Sequence, residues 1–258
     1  METRTITFDL TDGVAVITMN RPAVMNALNT TMRTEITAAL RHAAGGARVV
    51  VLTGTGRVFC SGQDLGDAAD LASVDLETVL RDEYEPMLRA VLDCFVPVIA
   101  AVNGAAAGAG ASLALAADVV IAAESASFTQ AFTRIGLIPD AGGTYWLPRQ
   151  VGFARAMGAM LFGERLSARQ AADWGMIWEA VADDGFEAHW RARAAILATG
   201  PSLAYQGVKQ ALRASVANDL EGQRALEARL QGQCGASRDF REGVAAFSQR
   251  RPPRFEGQ

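Results

Sequence analysis

Hydrophobic and polar positions alternate near the start of the chain, with Ile6, Phe8 and Leu10 followed by Val14, Val16 and Ile17. Thr11-Asp12-Gly13 interrupts the alternation, and a period of two broken at a glycine turn predicts a β-hairpin. Spacing then lengthens to that of a helix over Thr30–Ala43, with Asn29 placed to cap it and Glu35 in its second turn. Gly45-Gly46 ends that helix. Val49-Val50-Val51-Leu52 follows as a continuous apolar run, the pattern of a strand buried on both faces. A polar helix is predicted from about Leu76 to Phe95, then a strand over Val98–Val102 and a turn at Asn103-Gly104. An alanine-rich helix to about Ala116 and a further buried strand over Val119–Ala122 come next. Strand, glycine turn and helix recur, so the fold class is α/β with parallel crossovers. Beyond about Leu166 strand signals are few, and segments 167–175, 186–199, 202–214, 219–232 and 239–249 read as amphipathic helices. Residues 1–195 are expected to form the core, and 196–258 a helical region packed on it or on a neighbouring subunit.

At 258 residues, half of them hydrophobic, the chain suits one large domain. A net charge of -4 gives no global basic field, which argues against nucleic acid as a partner, although Arg250, Arg251 and Arg254 cluster locally. Cys60, Cys94 and Cys234 are odd in number and form no CxxC pair, which fits a reducing, cytoplasmic compartment. His42 and His189 have no companions at ligand spacing, so neither a metal site nor a Ser-His triad is expected. Phe95–Ala117 is uncharged but rich in Ala and Gly and interrupted by Asn103 and Ser112, which reads as buried structure rather than a membrane span. Met1-Glu2-Thr3-Arg4 lacks the apolar core of a signal peptide.

Three small-residue segments carry the candidate chemistry. Gly136-Leu-Ile-Pro-Asp140-Ala-Gly-Gly143 holds a carboxylate between a proline and two glycines, within apolar sequence. A carboxylate in such surroundings has its pKa pushed upward, towards general-base duty. An aspartate ahead of small residues can equally cap a helix, and both readings fit the spacing. The run from Asn103-Gly104 through Gly108-Ala109-Gly110 to Ser112 departs from the G-x-G-x-x-G dinucleotide fingerprint. Its tiny side chains do permit close backbone approach at a helix N-terminus, for ligand or for packing. Phe59-Cys60-Ser61-Gly62-Gln63-Asp64-Leu65 is a second such turn, and no base accompanies Ser61 or Cys60 in sequence. Two turns of this kind, brought together, offer two backbone N–H donors to one carbonyl oxygen, the arrangement of an oxyanion hole.

Taken in order, Asn20-Arg21-Pro22…Asn26-Ala27-Leu28, Phe59–Leu65, Asn103…Gly110 and Gly136…Thr144 resemble the crotonase, or enoyl-CoA hydratase/isomerase, superfamily over essentially the whole chain. The resemblance implies a spiral of ββα turns with a helical C-terminal trimerisation region, acyl-CoA thioesters as substrates, no separate cofactor, and a homotrimer or dimer of trimers. It assigns the oxyanion hole to the backbone N–H groups of Gln63 and Ala109. Ser61, Gly62, Asp64, Leu65 and Gly108 would line that part of the site. Adenine of CoA would lie near Ala23, Val24 and Met25. Lysines that some members direct at the CoA phosphates are replaced by Ala23 and Gly66, while Arg57 keeps one basic position. Phe247 and Arg250 match residues that reach a neighbour's CoA, and for Arg250 simple solvation fits as well. Phe132, Leu137 and Trp146 are acyl-pocket or core residues.

Departures from the family pattern carry the finer expectation. Hydratases of that family set two glutamates across the substrate, and here those positions hold Ser112 and Phe132. Water addition needs one group to activate water and another to protonate carbon, so hydration is not expected. What remains is Asp140, where isomerases of the family carry an aspartate. Segments around Gly136–Arg149, Ala154–Gly158, Trp174–Trp178 and Arg241–Val244 are similar to the ring-epoxide isomerases of phenylacetate degradation, which act on 2-(1,2-epoxy-1,2-dihydrophenyl)acetyl-CoA. The alternatives are a Δ3,Δ2-enoyl-CoA or dienoyl-CoA isomerase, and a catalytically silent acyl-CoA-binding or assembly subunit. A dehalogenase that pairs this aspartate with an upstream histidine is disfavoured, because no histidine falls between Gly54 and Asp140.

Overall fold

The computed structural model describes residues 3–66 and 74–258. Strands β1 (Ile6–Thr11) and β2 (Val14–Met19) pair antiparallel across Asp12 and Gly13, both with positive φ, the turn whose twist matches that of the strands. β2 then pairs in parallel with β3 (Val49–Gly54), and β5 (Val98–Val102), β7 (Val119–Ala123) and β10 (Glu179–Val181) complete a six-stranded sheet in the order β1-β2-β3-β5-β7-β10. Every residue of β5, and all of β3 except Thr53, is buried, as the unbroken apolar runs require.

Between the long strands the chain steps into a second sheet of three-residue strands, β4 (Val58–Cys60), β6 (Ala105–Ala107), β8 (Ser127–Thr129) and β9 (Arg165–Ser167). Each passage through both sheets is followed by helix, which produces a spiral of ββα turns. The helices of the core are α1 (Thr30–Ala43), α2 (Leu76–Val79), α3 (Glu85–Leu92), α4 (Ala109–Ala116), α5 (Gly143–Val151), α6 (Phe153–Phe162), α7 (Ala168–Asp173) and α8 (Phe186–Ala198). Asn29 caps α1 through a hydrogen bond accepted from Met32 N, and Met32, Ile36, Ala39, Leu40 and Ala43 are buried along one face of that helix.

Three expected elements take another form. The alanine-rich stretch after Gly104 begins as strand β6, because pairing with β4 and β8 on either side overrides the helix propensity of alanine; the helix starts only at Ala109. The helix expected over Leu76–Phe95 is interrupted by a π turn at Leu80–Tyr84, where Glu85 N donates to Leu80 O. Pro86 has no N–H to return to the preceding turn, so the ladder slips by one residue there. Beyond Leu166 the chain adds a sixth strand to the main sheet, β10, so short that its pattern is lost among helices.

The C-terminal helices α9 (Ser202–Ala214), α10 (Leu220–Ala236) and α11 (Arg238–Gln249) follow the turn at Gly200-Pro201. Residue 195 lies inside α8, which packs on β2, β3 and β7. Asp118, at the entry to β7, joins the two regions. Its carboxylate meets Lys209 Nζ at 2.6 Å and an Arg213 guanidinium nitrogen at 2.7 Å, and accepts from Val98 N. Lys209 also donates to the Cys94 and Val96 carbonyls, so this largely dry cluster is fully bonded. Removing one partner leaves charge without compensation. Asp118→Ala is therefore expected to lower the unfolding free energy by about 3 kcal/mol, measured by urea denaturation.

Candidate active site

Two turns meet at the junction of the small sheet and α4. Leu28 bridges Gln63 in parallel fashion: Leu28 N donates to Gly62 O at 2.8 Å, and Asp64 N donates to Leu28 O at 3.1 Å. Those bonds hold the flanking peptides and turn the Gln63 N–H to the opposite side. Ala109 is the first residue of α4, so its N–H has no partner within the helix. Neither N–H has a backbone acceptor among the described residues.

Only glycines allow the turns to lie this close. Gly62 has φ +95°, and a β-carbon on it would stand 2.8 Å from Ala107 O and 3.3 Å from Ala109 N. Gly108, with φ +52° and ψ −128°, caps α4 and turns the chain from β6 into the helix. Asp64 is buried, and its carboxylate is engaged by Arg21 at 2.5 Å and by Gly66 N at 3.0 Å, so it holds the turn's outer end. Cys60 is wholly buried, and burial pushes its thiol up to about 12, leaving it unreactive.

Asp140 enters from the loop ahead of α5. Gly142 with φ +81° is the N-cap of that helix and receives no side-chain cap, so the capping reading of Asp140 fails. Its backbone carbonyl accepts from Gly143 N, while Oδ1 is buried without a hydrogen-bond partner. Desolvation raises its pKa to about 6. Ala141 follows with φ +50°, a left-handed conformation that costs a non-glycine residue on the order of 1 kcal/mol and holds the carboxylate where the loop alone would not.

Around this loop, Ser112 and Gln130 are fully or nearly fully buried, and Ser112 Oγ, both Gln130 amide atoms and Trp146 Nε1 lack partners among the described residues. A β-carbon on Gly143 would lie 2.8 Å from Ser112 Oγ, and one on Gly142 2.6 Å from Trp146 Nε1. Phe132 is buried with its ring over Gly108. Trp146 packs against the core, and Leu137 is half-buried. Ala23, Val24 and Met25 lie exposed on the 3-10 turn that begins at Pro22. Ser61 N donates to Met25 O, which ties them to the Gln63 turn. Arg57 is exposed between β3 and β4, and Leu65 is half exposed.

Phe247 and Arg250 are not brought to this cluster. Phe247 is 87 % exposed and lines an apolar groove among α9, α10 and α11, and Arg250 ends α11 with φ +53°. Residues to which sequence reasoning gave no role in the site are Asn26, Arg33, Tyr84 and Gln130. Asn26 is fully buried and bonds Arg21 N, Thr55 O and Val58 O, pinning the 3-10 turn to the loop below it. Polar residues inside apolar patterns carry no signal of their partners, which lie up to fifty residues away in the chain. Among the described residues no three His, Cys, Asp or Glu side chains gather as metal ligands, and no helix is long and apolar enough to cross a membrane.

Two unpaired N–H donors and a desolvated carboxylate can polarise a carbonyl and move a proton beside it. A family model described as enoyl-CoA hydratase/isomerase matches residues 9–258. A protein of Rhodobacter capsulatus named "probable enoyl-CoA hydratase" is 65% identical over 258 residues, covering all of both chains. The 1,2-epoxyphenylacetyl-CoA isomerase of Escherichia coli is 45% identical over 251 residues, 95% of this chain and 96% of that protein. The crystal structure of an enoyl-CoA hydratase from Bacillus anthracis superposes with a TM-score of 0.91 at 33% identity, over 99% of this chain and 100% of that one. The chain belongs to the enoyl-CoA hydratase/isomerase family, and its spiral of ββα turns is the crotonase fold.

Proposed function

We propose that this enzyme of the enoyl-CoA hydratase/isomerase family is an acyl-CoA isomerase whose substrate is 2-(1,2-epoxy-1,2-dihydrophenyl)acetyl-CoA, converted to the ring-expanded oxepin-CoA. The observation that carries the reading is half-buried Asp140, whose Oδ1 is buried without a partner among the described residues and whose desolvation lifts its pKa to about 6. In this reading the Gln63 and Ala109 N–H groups bind the thioester oxygen, and the negative charge that develops there makes the adjacent C–H acidic. Asp140 takes that proton as its C–H electron pair moves into the enolate. As the enolate electrons redistribute through the ring, the carbon–carbon bond spanned by the epoxide oxygen breaks and the oxygen becomes part of a seven-membered ring. The protonated carboxyl then returns a proton to a ring carbon, so no atom is gained or lost. An isomerisation of this kind needs one base and one oxyanion site.

Ser112 and Phe132 support isomerisation over hydration, since neither can activate water or protonate carbon. Similarity to the 1,2-epoxyphenylacetyl-CoA isomerase supports the ring substrate. The name of the Rhodobacter capsulatus relative favours a second reading, a hydratase. Adenine would rest on the exposed Ala23–Met25 turn, with Arg57 near the phosphates. Phe247 and Arg250 would reach the CoA of a neighbouring subunit in a homotrimer or dimer of trimers, an assembly supported by exposed Phe153, Phe162 and Trp178. Light scattering of the purified protein tests that assembly.

Incubation with ring-epoxide and aliphatic 3-enoyl-CoA esters in D2O separates the readings. An isomerase gives product of unchanged composition, carrying deuterium wherever the proton held on Asp140 exchanges with solvent before its return, whereas a hydratase adds the elements of water. Asp140→Asn is expected to lower turnover at least a thousandfold by order of magnitude while CoA-ester binding survives, and wild-type turnover in that variant would overturn the proposal. The same substitution removes a desolvated charge, so the thermal midpoint at pH 7.5 should rise. Asp140 must be ionised to act as a base. The kcat/KM of the wild type is therefore expected to fall as pH drops through about 6 and to be flat above it.

A further inference from the structure

The π turn at Leu80–Tyr84 has one buried member, Tyr84, and it points at the Gln63 turn. The Tyr84 hydroxyl donates to Gln63 Oε1 at 2.6 Å. Arg33, itself only 2 % exposed on α1, donates to the same oxygen at 2.9 Å and to Leu28 O at 2.6 Å. Its guanidinium lies 4.7 Å from the centre of the Tyr84 ring and pairs with Glu83, the preceding residue of the π turn, at 2.6 Å. Gln63 is therefore gripped twice over. Leu28 fixes its flanking peptides, and two buried donors fix its side chain. A π turn widens the helix by one residue and re-aims the side chains that follow, and such turns concentrate at functional sites.

A half-exposed glutamine on a surface turn needs no buried arginine to be stable. This network removes the remaining freedom of one peptide, the peptide whose N–H is left without an acceptor. Burial pushes the Tyr84 hydroxyl above its ordinary range, against the opposing charge of Arg33, so it remains a donor at neutral pH.

We propose that Tyr84 and Arg33 are positioning residues that act through the Gln63 side chain to aim the Gln63 N–H at the thioester oxygen. The proposal rests on the acyl-CoA reading above and adds to it a role for the π turn. Tyr84→Phe deletes one donor while keeping the ring under Arg33, and Gln63→Leu deletes the acceptor while keeping the backbone N–H.

The probes are phenylacetyl-CoA and S-(2-phenylethyl)-CoA, the thioether in which a methylene replaces the carbonyl. In Tyr84→Phe the rate of α-proton exchange of phenylacetyl-CoA in D2O is expected to fall about tenfold or more. The infrared carbonyl band of the bound thioester should move towards its position in free ester, while affinity for the thioether changes less than twofold. The double variant should be no slower than Gln63→Leu alone. A Tyr84→Phe enzyme with wild-type exchange and carbonyl band overturns the proposal. So does an equal loss of affinity for both ligands, or additive effects in the double variant. Asp140→Asn serves as the control: full exchange in that variant defeats the assignment of the base, whereas the carbonyl band still decides the role of Tyr84.

Discussion

The site depends on a steric constraint, the approach of two backbone turns to a distance at which only hydrogen fits between them. A β-carbon on Gly62 would strike the Ala107 carbonyl, and one on Gly110 would lie 2.4 Å from Cys60 O. Both contacts occur where the small sheet meets α4, so the geometry of the sheet and the spacing of the two N–H groups are one requirement. A side chain at Gly62 would push the Gln63 turn away from β6, and one at Gly110 would push α4 away from β4. The small sheet has strands of only three residues and little pairing of its own, and it is backed by α4 against β4 and β6 and by α7 against β8 and β9.

Electrostatics at the site follow from the same packing. Asp64, Arg21, Arg33 and Glu83 satisfy one another, which leaves the region around the Gln63 turn charged but balanced. Asp140 has no such partner among the described residues, and its desolvation is offset by the rest of the fold. Ala141 in a left-handed conformation and the unpartnered polar atoms of Ser112, Gln130 and Trp146 belong to the same small volume. Five of the eight buried side-chain atoms without a partner among the described residues lie on these residues, and local cost gathered in this way is the pattern of a site held in readiness.

Much of this was legible in the chain itself. The Asp12-Gly13 hairpin, the Asn29 cap and the buried strands β3, β5 and β7 follow from local chemistry, and so do the bounds of α9 at Ser202 and Ala214. The glycine turns and the Pro139-Asp140 loop were legible as special positions. What sequence reasoning missed depends on distant pairing. β6 is three alanines that only β4 and β8 make into a strand, and β10 is a strand only because β7 offers an edge. Arg33 read as a polar residue on an amphipathic helix, and Tyr84 as part of another, because neither pattern reveals a partner thirty or twenty-one residues away.

The donors of the Gln63 and Ala109 turns belong to the main chain, and that has an evolutionary consequence. A codon change other than one to proline leaves a backbone N–H in place, so this part of the site is inherited with the fold and is shielded from much ordinary drift. Side chains at positions such as 112, 132 and 140 can be exchanged one at a time without removing either donor. A lineage built this way can change reaction while keeping its scaffold, and relatives of closely similar architecture come to bear the names of different activities.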